Sequence, residues 1–327
     1  MSNVIKEQQP LDLFFVRPHE AKVLSLIRQL ESGTGPKAYG VIVMVVPEGA
    51  TFKKTQGAAD RLNRAILKEE YGVDSIEKLP CAKVLVFMEK FLGKFPLCIR
   101  NEASLERLKS ANKCSEAEFE RIKAQSKDAK SVIDKLMKEK KISKEDYDIV
   151  YPPPHTSSVY PSNAVGAYQF ISNTLAPLVE KHKLENVPFS PKVQDFLACK
   201  LLHKRHFDDF LNKTLVKEEL KITKKRLIVT KHEGKIKVTE ENIKVIKQKG
   251  DIKVTLEEFA ENLSKEWASF PYSADGLSYY HADGQNKALV KWSELLDVLK
   301  EAKVLYDEMK KREKEEAEKK ASTIVTS

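Results

Sequence analysis

Glu31 is the residue of this chain whose setting best suits proton transfer. Pro18 suits a first helical position, Val23, Leu24, Ile27 and Leu30 recur at helical spacing, and Gly33 and Gly35 end the run. Glu31 then falls in the last turn, against the negative end of the helix dipole, where nearby apolar packing also disfavours its charge. A carboxyl held that way is a proton donor near neutral pH. The plainer reading of one Glu at a helix end is a solvated surface residue. A second chemical stretch, residues 162–174, carries Gly166, Ala167, Tyr168 and Gln169. It reads as a small-residue turn feeding a helix whose first positions hold an aromatic and an amide. Glycine lets backbone approach a bulky polar ligand, and a Gln amide donates and accepts towards sugar hydroxyls and N-acetyl groups.

These stretches have company. Phe189-Ser190-Pro191-Lys192-Val193-Gln194-Asp195 and Glu266-Trp267-Ala268-Ser269-Phe270-Pro271 follow in order, and residues 18–46 give helix, Glu, glycine and an apolar β run. Together the segments resemble the lysozyme superfamily, most closely the lambda-phage type of endolysin, a peptidoglycan lytic transglycosylase, over about half the chain. The resemblance implies Glu31 as catalytic acid and base. It implies Ser32, Gly166, Tyr168 and Gln169 as substrate-binding residues. The family motif has Arg between Gly and Tyr where this chain has Ala167, which removes a charged contact.

The elements that must position these residues follow from pattern. The expected class is α+β: a lysozyme-like, mainly helical fold with a small β-sheet, plus an inserted helical hairpin and an inserted short antiparallel β unit. Residues 39–46 read as a buried strand with a turn at Pro47-Glu48-Gly49, and 58–95 as helix with Phe87, Met88 and Phe91 in the core. The first part of the catalytic domain spans 1–100. Residues 101–150 form the helical insertion, a solvated spacer or packing device, with Ser115 and Glu118 at capping-box spacing. Tyr151-Pro152-Pro153-Pro154 begins an extended return. This insertion accounts for the 138 residues between Glu31 and Gln169. The core continues over 151–212, where Leu197, Ala198, Leu201, Leu202, Phe207, Phe210 and Leu211 are apolar-face residues.

Residues 213–254 alternate polar and β-branched types, with turns at Glu233-Gly234 and Lys249-Gly250-Asp251. Between 213 and 253 stand 13 basic and 6 acidic residues, a local +7 of the chain's +9. That excess either protects a strand edge or attracts an anionic envelope surface. The insert has no aromatic for base stacking, so nucleic acid is not an expected partner. The core is completed over 255–310, with a helix through Phe259, Leu263 and Trp267 and an aromatic loop. In that loop Tyr279 and Tyr280 are candidate sugar-stacking residues. A last helix from Lys287 carries Val290, Trp292, Leu295, Leu296 and Leu299, and 311–327 read as a charged, frayed tail.

Composition narrows the classes. At 327 residues about two units, or one domain with large insertions, are expected, and 32% charged residues with a mean hydropathy of −0.44 leave no window of about 20 apolar residues to cross a bilayer. The N-terminal ten residues lack the apolar core of a secretory signal. Host cytoplasm until release to the wall, or carriage in a virion, is the expected location. Cys81, Cys98, Cys114 and Cys199 form no CxxC pair and read as free thiols. His203 and His206 form an HxxH without a third ligand at a telling distance, so an exposed helical pair is preferred to a metal site and no cofactor is expected.

Glycosidic cleavage needs protonation of the leaving oxygen and stabilisation of an oxocarbenium-like centre. No Asp or Glu lies between Ser32 and Pro47, and Glu48, Asp60, Glu69 and Glu70 stand in no recognisable context. That favours single-Glu chemistry yielding a 1,6-anhydro sugar over a two-carboxylate hydrolytic muramidase. The competing class is a catalytically silent wall-binding or virion structural protein.

Overall fold

The structure, a computed structural model, describes residues 14–47, 52–92, 116–150, 159–213, 215–218, 221–232, 235–246, 250–280 and 287–325. It is mainly helical with small antiparallel sheets, and it divides into two compact units, 1–201 and 202–327.

The first unit opens with α1 (Pro18–Ser32), and Pro18 does occupy the first turn, while Glu20 folds back to accept from the Arg17 N–H at 2.7 Å. Val23, Leu24 and Ile27 are buried, and Gly33 at φ +89° turns the chain out of the helix. A 3-10 turn, Pro36–Gly40, comes next, so Tyr39 and Gly40 belong to it and the strand β1 starts later, at Ile42–Pro47. The Pro at the first position and the i→i+3 bonds of this turn override the β-rich composition. Strand β1 pairs antiparallel with β2 (Val159–Val165), from Ile42 opposite Val165 to Pro47 opposite Val159, with an irregularity between Val43 and Val45. Glu48 and Gly49 of the expected turn lie outside the described residues.

The long helix expected over 58–95 is two helices, α2 (Phe52–Tyr71) and α3 (Cys81–Phe91). Gly72 is the reason. At φ +70° its N–H caps Lys68, the Val73 N–H reaches back to Leu67, and Pro80 sits before the next helix. Leu62, Ile66, Phe87, Met88 and Phe91 are core residues.

The segment expected as a helical insertion contains α4 (Glu116–Lys138) and α5 (Lys144–Val150); Ser115 lies outside the described residues. It packs onto α2 and α3 and is no solvated spacer: Phe119, Ile133, Leu136 and Val150 are buried. Polar clamps fix it to α2. Arg61 grips Asp146 through Nε at 2.9 Å and Nη2 at 2.6 Å, and Glu69 takes Lys141 at 2.8 Å and also Lys135. Those lysines hold the Glu69 carboxyl down at about 2. After β2 come α6 (Ser172–Lys181) and α7 (Pro191–Lys204), within which the boundary between the units falls.

The second unit contains α8 (Phe207–Asn212), β3 (Leu215–Glu218), β4 (Lys221–His232), β5 (Lys235–Ile246), β6 (Gly250–Lys253), α9 (Leu256–Ser264) and α10 (Trp292–Val325). The basic stretch is antiparallel as expected: β4 and β5 run in unbroken register from Lys221 opposite Ile246 to His232 opposite Lys235, and β3 pairs with β6. Phe207, Phe210 and Phe259 stack at 5.1–6.4 Å as this unit's core. Helix α10 runs through the charged segment expected to fray. Pairs such as Lys303 with Asp307 and Lys310 with Glu313 line it, each contributing about 0.3–0.5 kcal/mol. Among the described residues no helix is long and apolar enough to cross a membrane.

The Arg61 clamp depresses the Asp146 carboxyl, chiefly through its hydrogen bonds and against the opposing effect of burial. A depressed carboxylate contributes stability above its unfolded pKa of about 3.9 and loses it as pH falls through the lower folded value. Asp146→Asn should therefore cost about 1–3 kcal/mol at pH 7 in urea unfolding. The gap should start to narrow as pH falls below about 4 and shrink further as pH passes through the lower folded value, and a gap that stays constant over that fall would contradict the clamp.

Candidate functional site

Ser32, the last residue of α1, lies across 134 positions of sequence from Gly166 and is bonded to it: its Oγ donates to the Gly166 carbonyl at 2.9 Å. Gln169 closes the triangle, with Nε2 donating to Ser32 Oγ at 3.1 Å and to the Gly166 carbonyl at 2.7 Å. The segment bearing Glu31 and the Gly166 turn are thus one local structure. Glu31 itself is half-buried at the end of α1.

Why the turn forms is legible in its bonds. The Gly166 N–H extends the β1 ladder to the Val41 carbonyl at 2.7 Å, and Val165 and Phe170 exchange backbone bonds at 3.0 and 2.9 Å. Four residues must reverse the chain between them. Gly166 at φ +78° and Gln169 at φ +49° supply the left-handed conformations. Gln169 holds a conformation uncommon for a side-chain-bearing residue, a feature that concentrates at functional sites. Tyr168 and Gln169 therefore stand in a tight turn, and the expected helix starts only at Ser172.

A buried amide fixes this turn from below. Gln194 Oε1 accepts from the Ala167 N–H at 2.8 Å, and its Nε2 donates to the Phe189 and Tyr39 carbonyls at 2.9 and 3.1 Å. A Cβ on residue 166 would meet Gln194 Oε1 at 2.3 Å, so only glycine fits. Asp195, next along α7, accepts from Tyr168 OH at 2.6 Å and Tyr39 OH at 2.8 Å. Arg28 of α1 donates to Tyr39 OH and stands 5.4 Å from its ring centroid. Burial pushes the Asp195 carboxyl up, against the pull of both hydroxyls and Arg28, and burial together with Asp195 pushes Tyr39 up to about 12.

These positions change two assignments. Tyr168 is 1% exposed with its hydroxyl on Asp195, so it is a core residue beneath the turn and not a surface that a glycan can touch. Ala167 is wholly buried, so that position faces the interior. Gly166 is buried too, and Ser32 uses its hydroxyl within the triangle. Gln169 is half-buried, and its Oε1 takes no hydrogen bond from a described residue.

A polar cavity of about 480 Å³ opens beside the triangle. Ser32, Gly33 and Thr34 form one side, Asp60, Asn63 and Arg64 of α2 another. Sequence reading named Asp60 without a context and missed Asn63. In the cavity wall, burial pushes the Asp60 carboxyl up while Gln56, Arg64 and Arg61 pull it down. Asn63 is 3% exposed, and neither atom of its amide has a hydrogen-bond partner among the described residues. Each such atom costs about 1–3 kcal/mol. The available signal was its place on α2, one residue from Leu62 and three from Ile66, on the face that packs inward.

Tyr279 and Tyr280 lie in the second unit, 47% and 40% exposed, with ring centroids 5.2 Å apart. Tyr280 OH donates to the Lys265 carbonyl at 2.7 Å. Trp267 and Phe270 of the expected motif are core residues there, and Arg205 grips Glu266 at 2.6 and 2.8 Å. His203 and His206 are half-buried and pair with Asp208 and Asp209 at 2.7 and 3.0 Å. No group of three metal-ligating side chains occurs among the described residues. Cys81 and Cys199 are free and buried, which raises both thiols, Cys81 to about 12; Cys98 and Cys114 lie outside the described residues.

Gln194→Leu should destabilise the protein by about 2–4 kcal/mol in denaturant unfolding, since it strips an N–H and two carbonyls of their partners. Gly166→Ala should do comparable damage through the clash at Gln194. A wild-type unfolding midpoint for either variant would show that the turn is held by something else.

No protein-family model, curated protein or solved structure gives a significant match to the chain.

Proposed function

We propose that this protein cleaves the β-1,4 bond between N-acetylmuramic acid and N-acetylglucosamine in peptidoglycan, as a phage-type lytic transglycosylase of lysozyme-like fold. The observation that carries the reading is the Ser32, Gly166 and Gln169 triangle, which joins the end of the Glu31 helix to the turn that the resemblance assigns to substrate. It unites motifs 138 residues apart in sequence beside a polar cavity.

In this mechanism the Glu31 carboxyl gives its proton to the glycosidic oxygen, and the bond from that oxygen to C1 of the muramic acid breaks. The C6 hydroxyl of the same sugar then attacks C1 while the Glu31 carboxylate takes the hydroxyl proton. The products are a 1,6-anhydro end and a free 4-hydroxyl. The acid is regenerated and no water is consumed. Gln169 offers Oε1 to a sugar hydroxyl while its Nε2 stays anchored. Ser32, Gly166 and Tyr168 are positioning residues. Arg28, tied to Tyr39 beneath the turn, brings to this region the positive charge that Ala167 lacks. Tyr279 and Tyr280, in the second unit, are candidates for a separate sugar contact, and the basic strands of 213–253 for attraction to anionic envelope polymers.

Glu31→Gln should lower wall-clearing activity about 10²–10⁴-fold in protein that is still folded. Zymography on cell-wall gels compares the two proteins, and equal clearing, or none by the wild type on any envelope type, contradicts the enzyme. The second outcome favours a silent wall-binding protein. Envelope binding in pull-down should weaken as salt rises from 0.05 to 0.5 M, roughly following the shrinking screening length, and deletion of 213–253 should remove that dependence.

A further inference from the structure

The basic ribbon of the second unit has a composition that attraction between charges does not explain. Strands β4 and β5 have 12 residues each, about twice the usual length, and pair with no third strand among the described residues. No described helix packs substantially against them either. A two-stranded ribbon is marginal in water and ordinarily gains stability from a further layer. Nine of the ribbon's residues are nevertheless Ile, Leu or Val, set among eight basic and two acidic ones that give it +6 of the chain's +9.

The register sorts the two kinds of residue, because positions two apart along a strand share a face. Val229 stands opposite Val238 and Ile236 opposite Lys231, so that with Leu227 four apolar residues occupy one face towards the 233–234 connection. Glu240, opposite Leu227, belongs to that face too. Further from the connection the same face carries Lys225, Lys244 and Lys221. An apolar end followed by a cationic stretch is the result. The pairing of apolar and cationic groups recurs at the ribbon's root, in a cavity of about 370 Å³ lined by Phe210, Val254 and Leu256 with Lys213, Lys300 and Lys303. No acidic side chain lines it, although Lys300 and Lys303 also pair with Asp297 and Asp307 along α10. Lys213 and Val254 flank the ribbon directly, just before β3 and just after β6.

The possible partners differ in what they leave unmet. A soluble polyanion, whether nucleic acid or wall polymer, meets the lysines and leaves the apolar residues in water. A second copy of the chain meets the apolar residues but sets +6 against +6. The surface of an anionic bilayer meets both, with apolar groups at the boundary between headgroups and acyl chains and ammonium groups at the lipid phosphates. We propose that the β4–β5 ribbon is an anchor to anionic lipid membranes, laid on the bilayer by the face that carries Leu227, Val229, Ile236 and Val238. This gives the attraction proposed for 213–253 a lipid partner and does not depend on Glu31.

The test is co-sedimentation of the full chain with vesicles of phosphatidylcholine alone and of equimolar phosphatidylcholine and phosphatidylglycerol. The anionic vesicles bind at least about 10-fold more tightly. Val229→Thr with Val238→Thr keeps β-branched residues in the strands but makes this cross-strand pair polar. It weakens binding to the anionic vesicles at least about fivefold and leaves binding to soluble polyphosphate unchanged. Ile228→Thr, on the opposite face, keeps the wild-type lipid affinity. Should the double variant lose its fold, competition on the wild type decides. Polyphosphate at equal phosphate concentration leaves the protein on the vesicles if the apolar face is engaged, and strips it off if charge alone holds it. Equal binding to both vesicles, full lipid affinity in the double variant, an equal loss in Ile228→Thr, or release by polyphosphate overturns the anchor. Lipid binding by a protein that clears no wall counts against the cleavage reading alone, and wall clearing without lipid binding counts against the anchor alone.

Discussion

The bonds that Gln194 makes hold together everything else in the first unit's site. Its single amide is shared among the Ala167 N–H, the Phe189 carbonyl and the Tyr39 carbonyl, three backbone groups from three separate stretches. Buried away from water, each would otherwise be left unmet, and the low polarity of the interior makes each bond count for more. One consequence is that residue 166 must be glycine. Another is that the Gly166 carbonyl is presented where Ser32 and Gln169 both reach it. The end of α1 is thereby joined to the turn after β2.

A second layer supports the first. Asp195 gathers the hydroxyls of Tyr168 and Tyr39, and Arg28 reaches Tyr39 from α1. Consecutive residues of α7, Gln194 and Asp195, thus serve the turn's backbone and its aromatic underside respectively. The segment that looked like a family signature in sequence is a scaffold in structure. Its polar residues are spent on holding the fold, and the Gln169 Oε1 takes no hydrogen bond from a described residue.

Legibility in the sequence followed the physics of each signal. Local signals read well: Pro18 starting α1, the apolar face of Val23, Leu24 and Ile27, and the antiparallel pairing of the basic strands. Errors came where a short-range bond overrode composition. The Pro36 turn captured Tyr39 from a β-like run, Gly72 split a continuous helical pattern, and Gly166 with Gln169 made a reversal out of what reads as a helix start. Tyr168 was invisible as a core residue because its partner Asp195 is 27 positions away, and Asn63 because an amide on an apolar face has no sequence sign of being unmet. Helix α10 persists through its charged segment because paired charges along it favour the helix.

The proposed cleavage requires one carboxyl, that of Glu31, to act as both acid and base. Mass spectrometry of muropeptides released from purified peptidoglycan tests it most directly. Transglycosylation through Glu31 gives 1,6-anhydromuramic ends from the wild type and their disappearance with Glu31→Gln. Reducing ends would replace transglycosylation by hydrolysis, and products unchanged by Glu31→Gln, or no products at all, would contradict the central claim.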